Sequence, residues 1–600
     1  MCGIFGYIGK SNKAKDIVLS GIRSLEYRGY DSWGIGIMGL KSKIVIKKQA
    51  GKIGNKAIKG LPNSNFALGH TRWATHGGVT DYNAHPHLDC KSQFAIVHNG
   101  IIENYDKFKK ELLVKGHKFK SDTDTEIAVH LIEDIYNSKL KSKSSSQNEK
   151  IFIDSVREAF NKFTGLNAII VMDAYTSSFI AVKNGSPLVL GKGTEENFLA
   201  SDAHALLPYT KDVYFIEDNE LVFVSKEKIT CYDLYSGKVK NIKFTKLNWN
   251  PEITSKGRYK HFMIKEIHDQ IQIIDNITRN IGKPIDEFAR LIKNSYGTYL
   301  LGCGTAAYAC LAGTYIFSKI AKRHINFAVG SEFGYSLDFL TSKSLVIALS
   351  QSGETIDVID AVKKSKEKGA KVGAMVNVLG STLYRIADYK LLLEAGIEKA
   401  VVSTKAFTAK LAYLILLAYI LANNRREGEK VLQKAILALR EVFKKNNIDR
   451  IKKLAEFLFN KEHIYIIGRG LSYPIALETA LKIKEASYIH AEGFAAGELK
   501  HGVIALIEKG TPCIAFLPND ETYGATLAGT MEMKARGGYI IGVSFKPHEI
   551  FDYYLPYRDC GIASAIPSVT IGQLLGYQLA VKRHIDPDKP RNLAKSVTVK

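Results

Sequence analysis

The chain has 600 residues, 46% apolar and 24% charged, with a formal net charge of +23 and seven cysteines. That length exceeds what one hydrophobic core organises, so three or four domains are expected, and the composition excludes a largely disordered chain. The longest apolar run, 411–422, falls far short of the ~20 residues that a membrane span needs. The first residues carry no secretory pattern, and the scattered cysteines show no paired CxxC spacing. These features argue against a membrane protein, a disulfide framework and a zinc site, and a cytoplasmic, reducing setting is expected. The lysines spread through amphipathic stretches such as 361–371 and 431–453, with no recognisable nucleic-acid motif beside them. They read as a solvated surface, and no nucleic-acid partner is expected.

The chain opens on Met1-Cys2-Gly3-Ile4-Phe5-Gly6. Removal of Met1 would leave one residue carrying both a thiol and a free α-amine, a nucleophile with its own base. The flanking glycines allow backbone to approach a ligand closely. Short β-rich runs follow at 66–69, 94–98, 168–172, 179–182 and 221–224, with helical stretches at 105–115 and 125–136. That mixture predicts a layered α+β domain over 2–240. Within it, 139–150 is rich in serine and lysine and reads as an exposed insertion.

Several residues of this half have the chemistry of an amide-cleaving pocket. Arg72 can grip a carboxylate bidentately. Asn99 and Gly100 end a strand with an amide and a glycine N–H, both suited to an oxyanion. Asp124 offers a carboxylate to a substrate ammonium, although its place before a helix suits a cap equally well.

A lysine-rich, weakly patterned stretch at 241–260 reads as a linker, and 261–280 as a helix, so that 241–284 joins the halves. Beyond it lies an internal repeat. YLLGCGT at 299–305 matches YIIGRGL at 465–471, and the strand 345–349 matches 513–517. Strands alternating with helices predict two doubly wound α/β domains, 285–425 and 455–590, with a tail at 591–600. The copies diverge in one loop. The first has Ser350, Gln351, Ser352, Gly353, Glu354 and Thr355, rich in hydroxyls and backbone donors, whereas the second has an aspartate, Asp520. A phosphate dianion favours the first and is repelled by the second, so one phosphate site per chain is expected. A plain helix cap accounts for the serines and threonine equally well. Lys482 and Glu485, three apart, share a helix face, as a surface ion pair also would.

With these motifs the chain resembles the glutamine–fructose-6-phosphate aminotransferase (isomerising) family essentially end to end. The block Cys2–Gly6 with residues 27–32 (YRGYDS) is similar to that family's N-terminal-nucleophile (Ntn) glutaminase, a layered αββα domain. The resemblance implies that Cys2 is the nucleophile, that Arg72 and Asp124 hold the glutamine carboxylate and ammonium, and that Asn99 and Gly100 form the oxyanion hole. It also implies that Thr75, His76 and Gly77 shape the glutamine pocket. Trp73 matches the family's gate on its ammonia passage, and His85 a histidine of its mobile glutamine loop.

The second half resembles paired sugar isomerase (SIS) domains. Thr305, Ser350, Gln351, Ser352, Thr355 and Ser403 match the sugar-phosphate pocket. His501 matches the ring-opening histidine, Lys595 the Schiff-base lysine and Glu485 the carboxylate that moves a proton between C1 and C2, with Lys482 assisting. In the family His501 comes from the partner subunit, which implies at least a homodimer. The activity implied is conversion of fructose 6-phosphate and L-glutamine to glucosamine 6-phosphate and glutamate, with no cofactor and no metal. Three positions depart from the pattern: Ala306 for a sugar-contacting serine, Val503 for a proline and Ile271 for a proline in the linker helix. A sugar-phosphate sensor without turnover, or an enzyme acting on another acceptor, are the competing readings.

Overall fold

A computed structural model describes residues 2–54, 58–140, 147–247, 255–279 and 282–598. It divides into two units, Met1–Ile253 with Ser596–Lys600, and Thr254–Lys595.

In the N-terminal unit eight strands pair in the order Thr245–Lys246, Asp212–Phe215, Val189–Lys192, Glu196–Ala200, Gly3–Gly9, Phe66–Arg72, Ser32–Met38 and Ile44–Ala50. Seven more pair as Val239–Lys240, Ile229–Asp233, Glu220–Val224, Ser178–Lys183, Asn167–Asp173, Phe94–Gly100 and His87–Leu88. Both sheets are antiparallel. Because strand side chains alternate faces, Ala95, Val97, Ile170 and Met172 meet Ile4, Ile8, Phe66 and Leu68 between the sheets. Their neighbours Phe94, Ile96, Ile169 and Val171 turn outward onto Ile132, Phe152 and Val156 of the helices Asp124–Leu140 and Asn148–Lys162. The helix Ala14–Ser24 covers the other sheet, where Gly21 lies directly on the Phe5 ring and leaves no room for a Cβ. The result is the αββα sandwich. Thr245 and Lys246 pair with Val213 and Asp212, so the first part of the expected linker is an edge strand. The core of the expected insertion, 141–146, lies outside the described residues, and both its flanks are helical.

The second unit begins with the helix Phe262–Arg279, which runs continuously through Ile271. Its two parallel sheets share one strand order. The first pairs Asn326–Val329, Thr298–Gly302, Leu345–Ser350, Lys371–Val376 and Tyr389–Leu392; the second pairs His490–Ala495, His463–Gly468, Pro512–Leu517, Tyr539–Ser544 and Tyr553–Pro556. Helices pack on both faces, and Lys405–Leu421, which holds most of the longest apolar run, is buried from Lys405 to Ala418. No helix among the described residues is long and apolar enough to cross a membrane. The helices Arg425–Val442 and Lys445–Leu458 fill the stretch between the domains that the repeat left unassigned. In such folds ligands bind beyond the carboxyl ends of the strands, where the order reverses. Here that point is met by the loops after Gly302 and Ser350. The tail divides at Lys595, which closes the second unit, while Ser596 onward groups with the first.

Candidate active sites

Pairing of Gly3 with Thr71 brings Cys2 alongside Arg72 and Trp73. The Trp73 N–H donates to Cys2 Sγ at 3.2 Å, and Asn99 Nδ2 donates to the Cys2 carbonyl at 3.1 Å. The amide is held that way round by His70. Burial pushes the His70 imidazole down to about 3, so the ring is neutral. Its Nε2 faces two acceptors, His98 O and Asn99 Oδ1, each at 3.1 Å, and must carry the proton. Gly100 follows with φ +140°, and a Cβ there would run into the Leu166 carbonyl.

The segment 27–32 braces this corner. Arg28 and Tyr27 both bond Asp202 at 2.8 Å, Asp31 accepts from the Ala74 N–H at 3.0 Å, and a Cβ on Gly29 would meet Trp73 N at 2.7 Å. The Trp73 ring stands edge-on to Tyr30, 5.8 Å away. Arg72 is buried, and its guanidinium donates to the carbonyls of His76, Gly77 and Gly78. It therefore shapes the 75–78 turn, in which Thr75 is exposed, Gly77 has φ +77° and the His76 ring packs on Tyr105. Burial lowers the Arg72 pKa, opposed by the nearby Cys2, Asp124 and Asp31.

Asp124 is not the helix cap. Thr123 Oγ1 accepts from the Glu126 N–H at 3.3 Å, and Glu126 turns back to the N–H groups of Lys120 and Ser121. Asp124 instead points at the strand end, accepting from the Ile102 N–H at 2.8 Å, with His98 Nδ1 at 3.8 Å. His85, expected in a mobile loop, is 4% exposed. It packs between His70, at a tilt, and His87, edge-on, and burial holds it well below the usual histidine range. The row of His70, His85, His87 and His98 was not anticipated, although histidines crowd the sequence from 70 to 98.

In the second unit the helix Ser472–Ser487 places Glu478, Lys482 and Glu485 on one face. Lys482 is fully buried rather than part of a surface pair. Its Nζ lies 2.6 Å from Glu485 Oε2, 2.9 Å from Thr305 Oγ1 and 3.4 Å from Glu478 Oε1. Burial would lower the Lys482 pKa, but the two carboxylates outweigh it and raise it. Thr305 opens the helix Thr305–Ile316 from Gly304, so this set joins the glycine loop of one domain to a helix of the other. Ala306 is buried behind it.

The 350–355 loop is pre-shaped. Ser350 Oγ accepts from the Gly353 N–H at 3.0 Å and lies 3.4 Å from Thr355 Oγ1, while Ser352 Oγ accepts from the Glu354 N–H. Thr355 occupies the N-cap position of Ile356–Glu367 yet makes no side-chain capping bond. In the second copy Asp520 closes the loop on itself, accepting from both the Thr522 N–H and its hydroxyl.

Lys595 Nζ donates to Glu398 Oε2 at 2.6 Å and to the Ala400 carbonyl at 2.7 Å, and Ser403 Oγ donates to the same Glu398 oxygen at 2.9 Å. Glu398 Oε1 takes the N–H groups of Thr404 and Ala406. Burial acts to raise the Glu398 carboxyl, but Lys595 and the backbone donors outweigh it and hold it below the usual range. Glu266 beside it is raised by burial and by Glu398. Lys410, buried on the same helix as Lys405, is pushed down to about 8 by burial. Glu266, Glu398, Glu478 and Lys410 were not singled out from the sequence, where isolated charges in polar-looking segments read as surface. His501 is exposed on the short turn Glu498–His501 and stands apart from the contacts that join Lys482, Glu485 and Thr305.

A thiol at the head of an Ntn-type sandwich, with buried lysine–glutamate pairs in a doubled α/β fold, defines a glutamine amidotransferase carrying SIS domains. The Glutamine amidotransferase domain family matches residues 70–208, and the SIS domain family matches 291–420 and 457–552. The glutamine–fructose-6-phosphate aminotransferases (isomerizing) of Pyrococcus horikoshii and Thermococcus kodakarensis are each 42% identical, over 100% of this chain and 100% of theirs. The solved C-terminal domain of glucosamine-fructose-6-phosphate aminotransferase from Francisella tularensis is 32% identical with a TM-score of 0.52, covering 56% of this chain and 99% of that one. The chain belongs to the glutamine–fructose-6-phosphate aminotransferase (isomerizing) family.

Proposed function

We propose that the chain converts fructose 6-phosphate and L-glutamine to glucosamine 6-phosphate and L-glutamate, the first step of amino-sugar synthesis. The observation that carries this reading is the setting of Cys2, whose thiol takes the Trp73 N–H while the Asn99 amide lies against its own carbonyl. With Met1 removed, the α-amine of Cys2 takes the thiol proton and Sγ attacks the glutamine amide carbon. Asn99 Nδ2 and the Gly100 N–H hold the oxyanion, which collapses to a thioester as the α-ammonium returns its proton to the departing nitrogen and ammonia leaves; water then hydrolyses the thioester, restoring the thiol and releasing glutamate. Arg72 holds the substrate carboxylate and Asp124 its ammonium, in a pocket edged by Thr75, His76 and Gly77. His85, buried, supports this pocket from behind.

In the second unit the loop Ser350, Gln351, Ser352 and Thr355 takes the phosphate, with Thr305 and Ser403 along the sugar. Lys595 condenses with C2 of the opened ketose with loss of water, ammonia from the first site displaces the lysine amine to leave the C2 imine, and Glu485, held by Lys482, moves a proton from C1 to C2 to give the aminosugar. His501, exposed in its own chain, serves ring opening in the pocket of a second copy, so the working form is at least a homodimer. The setting is read as reducing and cytoplasmic, with neither membrane nor nucleic acid as partner. The test is Cys2→Ala. Glutamate release should vanish while isomerisation of fructose 6-phosphate continues, and loss of both in a folded variant would overturn the two-site reading.

A further inference from the structure

We propose that Cys90, His117, His130 and Glu133 form a structural zinc site in the N-terminal unit. Cys90 sits in the turn between the strands His87–Leu88 and Phe94–Gly100. His117 follows the helix Tyr105–Val114, and His130 and Glu133 lie one turn apart on the helix Asp124–Leu140. Three separate segments thus deliver one thiol, two imidazoles and one carboxylate whose donor atoms all lie within 4.8 Å of one another.

The spacing is that of a tetrahedron. Zinc bonds of about 2.0–2.1 Å to nitrogen or oxygen and about 2.3 Å to sulfur place neighbouring donors about 3.3 Å apart, and about 3.6 Å where one is sulfur. In the structure Cys90 Sγ lies 3.6 Å from His117 Nδ1 and 3.5 Å from His130 Nδ1. The two Nδ1 atoms are 3.2 Å apart, and Glu133 Oε2 is 3.4 Å from the first and 3.3 Å from the second. The sixth distance, from Cys90 Sγ to the Glu133 carboxylate, is within 4.8 Å, and four protein donors on one ion would leave no open position, the mark of a structural rather than a catalytic ion. A thiolate with two imidazoles favours zinc over the oxygen-seeking divalent ions.

A second observation points the same way. Ligand imidazoles usually present their far nitrogen to a carboxylate. Here His130 Nε2 faces Glu126 Oε1 at 3.9 Å and His117 Nε2 faces Asp134 Oδ1 at 4.0 Å. His130 Nε2 is buried and has no other partner. Both rings are therefore turned with Nδ1 inward and Nε2 toward an acid, and Cys90 is exposed, which gives an ion a way in. Sequence spacing gave no hint because no two ligands form a CxxC or HxxxH pair.

The site also touches the chemistry. Glu126, behind His130, holds the N–H groups of Lys120 and Ser121, in the loop that leads to Asp124. A bound ion would fix that loop. This last consequence rests on Asp124 holding the glutamine ammonium, whereas the site itself does not.

The experiment uses the full chain, purified without chelator. Metal analysis is expected to give about one zinc per chain, the stoichiometry of one four-ligand set. After stripping, cobalt is expected to bind with the intense visible bands of tetrahedral coordination and a thiolate charge-transfer band that Cys90→Ser abolishes. Glu126→Gln, which leaves all four ligands in place, is expected to weaken zinc by about 10–100-fold. Removal of the ion should raise KM for glutamine while leaving fructose 6-phosphate isomerisation unchanged. Wild-type protein that is metal-free as isolated and binds neither zinc nor cobalt would overturn the proposal, as would an octahedral cobalt spectrum indifferent to Cys90→Ser. Stoichiometric zinc in a chain that hydrolyses no glutamine would refute the enzymatic reading and leave the metal site standing.

Discussion

Lys595 Nζ lies 2.6 Å from Glu398 Oε2, with the two side chains only 4% and 0% exposed. The lysine proposed to attack the sugar is thus stored as one half of a buried ion pair, and Ser403 bonds the same carboxylate oxygen. Removing one partner of a buried pair costs roughly 3–5 kcal/mol, because the other charge is left without compensation. Glu398→Gln should destabilise the second unit by about that much, lowering its thermal midpoint, and depress aminosugar formation, while Cys2-dependent glutamate release continues. Calorimetry with a glutaminase assay checks both. An unshifted transition with full aminosugar turnover would contradict the role given to Glu398.

Arg72 reaches three consecutive carbonyls, those of His76, Gly77 and Gly78. Lysine keeps the charge but cannot span them, since it lacks the planar fork. Charge-assisted hydrogen bonds contribute about 1.5–3 kcal/mol, so Arg72→Lys should raise KM for glutamine by about 10–150-fold. Isomerisation of fructose 6-phosphate should not change. Steady-state kinetics decide it, and an unaltered KM would remove Arg72 from the glutamine pocket.

Gly100 combines φ +140° with a position where any Cβ meets the Leu166 carbonyl. Gly100→Ala must shift the strand end that pairs Gly100 with Asn167 and so misplace its N–H. Loss of one oxyanion donor costs about 10²–10³ in kcat. Glutamate release should fall by that order with little change in KM. A variant with the wild-type rate would show that the Gly100 N–H is not used.

The Glu478 carboxyl is pushed up to about 7, chiefly by burial and further by Glu485, with Lys482 opposing. Its unfolded value is about 4.3. The folded state holds the proton more tightly, so this contribution to stability is complete below about pH 4.3 and is lost as pH rises through about 7. Glu478→Gln, fixed in a neutral form, should match the wild type near pH 4 and exceed it in stability by a margin that grows up to about pH 7. Urea unfolding of both proteins across that range measures the difference. A constant gap would mean that Glu478 does not titrate there.

Much of the fold could be read from the sequence because its signals are local. Runs such as 94–98 and 168–172 alternate faces between a sheet partner and a helix, and became Phe94–Gly100 and Asn167–Asp173. The repeat around Gly302 and Gly468 was legible because each glycine ends a strand at the same place in two identically ordered sheets. Cys2, Arg72 and Asn99 could be singled out for the same reason, each lying in a short motif whose chemistry is carried by adjacent residues. Residues defined by distant partners could not. Glu398 and Glu478 look like surface charges until packing buries them against Lys595 and Lys482. Thr245 and Lys246 read as linker because their strand partners lie more than thirty positions earlier. The four residues around Cys90 converge only through three segments of the fold.

The most direct measurement incubates the purified chain with fructose 6-phosphate and glutamine labelled with 15N at the side-chain amide, and follows products by mass spectrometry. The expected result is glucosamine 6-phosphate carrying the label, with glutamate in equal amount. Glutamate without any labelled aminosugar would contradict the transfer to fructose 6-phosphate, and neither product, with the Cys2 amine shown to be free, would leave a sugar-phosphate-binding protein without turnover.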